Sequence, residues 1–72
     1  METLDLHGVR HHQVEGVVEN FILLQQSPAR IITGNSPSMK ILVQKVLDRC
    51  GFSWDYENDY NMGSIVVVST SI

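Results

Sequence analysis

Thr3-Leu4-Asp5-Leu6-His7-Gly8, followed by Val14, Val17, Val18, Phe21 and Ile22, is the stretch that decides the fold. From Thr3 to His7, apolar and polar residues alternate with period two, the pattern of a half-buried strand, and Gly8 interrupts it as an exit turn. From Val14 the period changes to i, i+3, i+4, i+7 and i+8. That spacing predicts a helix from about His11 to Gln25, with Glu15, Glu19 and Asn20 facing outward. Ser27-Pro28 ends the helix, because the residue before proline is pushed out of the α region and proline has no N–H to donate.

Working outward, the short isoleucine-rich stretch Ala29 to Thr33 reads as a buried strand, and Gly34-Asn35 turns the chain. Ser36 is placed to cap a second helix and Pro37 to occupy its first position, where a missing N–H costs nothing. The apolar stripe of that helix is Met39, Leu42, Val43, Val46, Leu47 and Cys50, with Lys40, Lys45 and Arg49 on the other side and Gly51 as the terminator. Phe52, Trp54 and Tyr56 alternate with Ser53, Asp55 and Glu57, predicting a third strand with one aromatic and one polar face. Asn58 to Gly63 reads as a hairpin turn and Ile65 to Val68 as a fourth, strongly apolar strand.

The resulting order, β-α-β-α-β-β, predicts an α/β fold: a two-layer sandwich with a four-stranded mixed sheet. Two helices can cover only one face of such a sheet, so the other stays open. Right-handed strand-helix-strand connection makes the first two strands parallel, and the hairpin supplies an antiparallel one.

The 72 residues imply a single domain spanning 1–72, and 43% hydrophobic with 18% charged residues is an ordinary globular composition. No apolar run approaches the roughly 18 residues needed to span a bilayer, and Glu2 and Asp5 stand where a secretory signal would be positive. No membrane association and a cytoplasmic location are expected. Cys50 is the only cysteine, which rules out an intrachain disulfide and suggests a buried structural thiol. A net charge of -3 argues against coating of nucleic acid by bulk charge, so any such contact must be local.

Leu4-Asp5-Leu6-His7-Gly8 resembles the opening motif of the Smr (small MutS-related) domain family, Leu-Asp-x-His-Gly at the end of the first strand. The resemblance continues through the first helix, Ile31-Ile32-Thr33-Gly34-Asn35-Ser36, the second helix and Gly63-Ser64-Ile65-Val66-Val67, nearly the whole chain. It implies a fold similar to the C-terminal domain of bacterial translation initiation factor three. It also implies nucleic-acid binding and, in some members, endonuclease activity. Many Smr domains carry His-Gly-x-Gly after the second strand, where this chain has Thr33-Gly34-Asn35-Ser36.

If strand alternation holds through His7, Asp5 and His7 project from the open face with their Cβ atoms about 7 Å apart. The pair suits catalysis on a phosphodiester: histidine moves protons near neutral pH, and aspartate orients it or holds a divalent cation. The plainer reading is that both side chains pin the loop by bonding to backbone groups. Thr33, Gly34, Asn35, Ser36, Ser38 and Lys40 lie at the neighbouring strand end, where helix amides, hydroxyls and one ammonium suit a phosphate; an ordinary turn and cap is the alternative. Gly8 and Arg10, with His11 and His12 beyond, would extend that nucleic-acid rim. His7, His11 and His12 lack helical spacing and a cysteine partner, so they are read as solvated rather than as a zinc site. Trp54, Tyr56 and Tyr60 could stack bases, but their alternation with Asp55, Glu57 and Asp59 favours core packing beside a solubilising acidic edge.

Three functions follow: an RNA- or branched-DNA-binding domain with weak phosphodiester hydrolysis at Asp5 and His7; a non-catalytic nucleic-acid-binding module; or a protein-interaction adaptor or homodimer. The adaptor would use the open face or the exposed edge of the last strand.

Overall fold

A computed structural model describes residues 2–24, 28–58 and 62–70, without the side chains of 69 and 70. The elements run β1 (Glu2–Asp5), α1 (His11–Leu24), β2 (Ala29–Ile32), α2 (Pro37–Arg49), β3 (Phe52–Tyr56) and β4 (Ser64–Thr70), the expected βαβαββ order. Gln25 and Ser27, expected to end α1, and Asp59 and Tyr60 in the hairpin lie outside the described residues. No described helix is long and apolar enough to cross a membrane.

The four strands form one mixed sheet in the order β1-β2-β4-β3. β1 and β2 are parallel, Leu4 opposite Ile31, whereas β4 runs antiparallel to both β2 and β3. β4 is therefore an inner strand, and an exposed edge on the last strand is ruled out. The burial explains the placement: Ile65 and Val67 are at most 2% exposed, and so apolar a strand gains most from neighbours on both sides. The shorter β1 and the polar-alternating β3 take the edges, where Ser53 and Asp55 face solvent.

Alternation along each strand separates two faces. Leu4, Ala29, Ile31, Ile65 and Val67, with the aromatic residues of β3, face the helices, as does Leu6 just past the end of β1. Thr3, Asp5, Asp55 and Val68 are exposed on the opposite face, with Arg30, Ile32 and Val66 half-buried between them. From α1, Val14, Val18 and Ile22 are buried; from α2, Met39, Val43, Val46 and Leu47. Full burial of such a side chain stabilises by about 1.5–3 kcal/mol. Phe52, Trp54 and Tyr56 pack against this core, and α2 takes up their polar atoms. The Trp54 indole donates to Asp48 at 3.1 Å, and the Gln44 amide donates to the Tyr56 hydroxyl at 3.1 Å. Cys50 is half-buried rather than enclosed.

Helix α2 starts and stops as its sequence dictates. The Ser36 hydroxyl accepts from the Met39 amide at 3.3 Å with Pro37 next to it, and Gly51 follows Cys50 at φ 79°, a conformation only glycine adopts without strain. Across the helix pair, Arg49 donates to Glu15 at 3.2 Å and to Glu19. Glu15 foremost, then Glu19, raises the Arg49 guanidinium above its ordinary value.

Candidate functional site at the exits of β1 and β2

β1 ends one turn earlier than the alternation implies. The Leu6 amide still donates to the Ile32 carbonyl at 3.0 Å, but His7 lies in a turn, closed by the Val9 amide donating to the Leu6 carbonyl at 3.0 Å. The cause is Asp5: its carboxylate accepts the His7 amide N–H at 2.9 Å, drawing that donor away from a sheet ladder. Asp5 and His7 therefore do not share a face as strand residues. They meet across a side-chain-closed turn, with Gly8 at φ 82° behind it. For Asp5, this is the loop-pinning role.

β2 leaves the sheet beside this turn. The Thr33 and Gly34 amides donate to the Gly63 carbonyl at 2.7 and 3.0 Å, and the buried Thr33 hydroxyl lies 3.2 Å from the same oxygen and 3.0 Å from the Gly34 carbonyl. Gly34 sits at φ 67°, so the turn needs a residue that tolerates the left-handed region. Gly63 comes so close that a Cβ on it would stand 3.0 Å from the Gly34 carbonyl carbon and oxygen.

Because β1 and β2 are parallel neighbours, both exits open on one cleft of about 200 Å³, lined by Asp5, His7, Ile32, Thr33 and Gly34. Asn35 lines a second cleft, described below, that shares Ile32 and Gly34 with the first. Gly8, Arg10, Ser36, Ser38 and Lys40 line neither. The free helix amides expected at α2 are mostly engaged: Pro37 has none, Met39 bonds the Ser36 side chain, and the Lys40 amide donates to the Ser36 carbonyl at 3.1 Å. The Lys40 ammonium sits over the Tyr56 ring, 5.9 Å from its centre, on the β3 side of the sheet.

Sequence reasoning missed the second cleft, about 390 Å³ on the open face, which adds Arg30, Glu57, Gly63 and Ser64 to the shared residues. Arg30 donates to Glu57 across β4 at 3.0 Å. The Arg30 Nε and the Ser64 hydroxyl are buried without a hydrogen-bond partner among the described residues. Glu57 was read only as part of an acidic edge; nothing in the linear pattern pairs it with Arg30, which β4 brings within reach.

Among the described residues, no three His, Cys, Asp or Glu side chains converge on a possible metal position. His7, His11 and His12 are each exposed. Comparison with known proteins finds no matching family, no matching curated protein and no matching solved structure.

Proposed function

We propose that this chain is a nucleic-acid-binding domain of the Smr type, which grips a phosphodiester backbone at the exits of β1 and β2. The observation that carries the reading is the cleft shared by Asp5, His7, Thr33 and Gly34, which unites the two segments of the resemblance on the open side of the sheet. An exposed imidazole can donate to a phosphate oxygen, and the glycine lets a ligand approach the backbone closely. Arg10, just beyond the turn, supplies nearby positive charge. With a net charge of -3, attraction must come from these few groups, so binding should be modest and salt-sensitive.

Cleavage of RNA or branched DNA is the catalytic form of the same proposal: His7 moves the proton and Asp5 fixes the turn that presents it. A specific observation favours binding without catalysis. Thr33 stands where many Smr domains have histidine, and its hydroxyl is turned inward to the Gly63 carbonyl. The donors present do not form a cation cage, so no step runs through a divalent ion.

The test is titration of the chain against labelled single-stranded RNA, hairpin RNA and branched DNA, followed by gel analysis with and without magnesium. Binding weakened by His7→Ala supports the proposal, and cleavage lost in that variant selects the catalytic form. Failure to bind any of these nucleic acids refutes both forms and leaves a protein adaptor or homodimer, which a light-scattering mass would identify.

A further inference from the structure

We infer that the second cleft is a pocket for one unpaired guanine base, a reading that rests on the nucleic-acid function proposed above. Asp5, Ile32 and Ser64 are successive cross-strand partners, and the Glu57 amide donates to the Ser64 carbonyl at 2.9 Å. These four residues form one row across the open face, three inter-strand steps or about 14 Å long. The two clefts share Ile32 and Gly34, so the row is one continuous furrow. A backbone phosphate at the His7 end leaves room for an attached nucleotide to lie along it, with its base at the Glu57 end.

The far end is chemically specific. Glu57 offers two carboxylate oxygens, and Arg30 binds only one of them, Oε2. Beside them the guanidinium keeps N–H groups beyond the one it donates to Glu57. The sequence acceptor, acceptor, donor complements the guanine edge, whose N2–H and N1–H lie next to O6. Adenine and cytosine would turn a ring-nitrogen lone pair, and uracil a carbonyl, toward the carboxylate. Ile32 provides an apolar surface for the ring, and Gly34 has no side chain to obstruct it. Independently of this pairing, Ser64 is only 2% exposed and its hydroxyl has no partner among the described residues. A buried hydroxyl in that state is unfavourable, and a ligand polar atom in the cleft relieves it. The volume, about 390 Å³, lies within the range of small-ligand pockets.

The test uses the full chain and RNA hexamers of uridine carrying one central guanosine or one central adenosine, read by fluorescence anisotropy and amide NMR. The expected result is about tenfold tighter binding of the guanosine hexamer, the discrimination of one good bidentate contact. Shifts should appear at the Gly34 and Ser64 amides, and Glu57→Gln should reduce the preference to below about threefold, since it replaces one acceptor with a donor. Ser64→Ala, which removes an unpartnered hydroxyl, should fold at least as well as the parent while narrowing the preference; it carries the test if Glu57→Gln fails to fold. Equal binding of the two hexamers, or a preference untouched by these variants, overturns the guanine pocket and leaves the nucleic-acid reading standing. No binding of either hexamer overturns both.

Discussion

The same substitution, glycine to alanine, should have opposite effects at two positions. At Gly63 the new Cβ would stand 3.0 Å from the Gly34 carbonyl carbon and oxygen and 3.1 Å from its Cα, all backbone atoms that cannot rotate aside. Gly63 is not among the glycines with positive φ, so the cost is steric rather than conformational. Overpacking of this kind costs about 1–3 kcal/mol. Separating the two segments also weakens the Gly63 carbonyl's bonds from the Thr33 and Gly34 amides, about 1 kcal/mol for one such bond. Restricting the unfolded chain returns about 0.4–1 kcal/mol. The net expectation is about 2 kcal/mol of destabilisation, a fall in Tm on the order of 8–15 °C for a domain of this size. At Gly16, exposed within α1, an added Cβ meets nothing within 4 Å, and alanine should stabilise by about 0.5–1 kcal/mol. Urea unfolding followed by circular dichroism measures both. A Gly63→Ala variant as stable as the parent would refute the close approach of β2's exit to β4, and with it the geometry of both clefts.

Other expectations can be checked on the same material. Asp5→Asn keeps an acceptor for the His7 amide and should leave stability within about 0.5 kcal/mol, whereas Asp5→Ala should cost about 0.5–1 kcal/mol in the same urea experiment. Leu47→Ala, at a side chain with no exposure, should cost about 2–5 kcal/mol; a loss below 1 kcal/mol would contradict its place in the core. Trp54→Phe removes the bond to Asp48 and should cost about 1 kcal/mol, a value that should shrink to near zero in an Asp48→Ala background. Arg10→Ala should weaken RNA binding and reduce the slope of log affinity against log salt by about one, read by anisotropy at several salt concentrations.

The local signals in this sequence were strong because they concern neighbours along the chain. Ser36, Pro37 and Gly51 mark the ends of α2, and each does so through contacts within four residues. The apolar stripes of α1 and α2 predict their buried faces for the same reason: helical periodicity is a local geometry. Where two local signals compete, the reading fails by a residue or two. The alternation Leu4-Asp5-Leu6-His7 promises a strand through His7, but the Asp5 side chain captures the next available amide and stops it. Both outcomes are written in the same residues, and the short polar side chain prevails because its bond closes only a small ring.

The open-face cleft was not legible, because it depends on pairing between segments far apart in the chain. Arg30 and Glu57 are 27 residues apart, and each looks like an ordinary surface charge. They meet because β4 inserts between β2 and β3, a choice driven by burying Ile65 and Val67 on the helix side. The polar consequence falls on the other side of the same strand. Had β4 lain outside β3, Ser64 would stand at the sheet edge with its hydroxyl in water; instead it is enclosed in the row between Ile32 and Glu57. The apolar run that reads from sequence only as core thus also fixes the polar furrow behind it. A substitution that disturbs Ile65 or Val67 should therefore alter ligand contacts on the open face as well as stability.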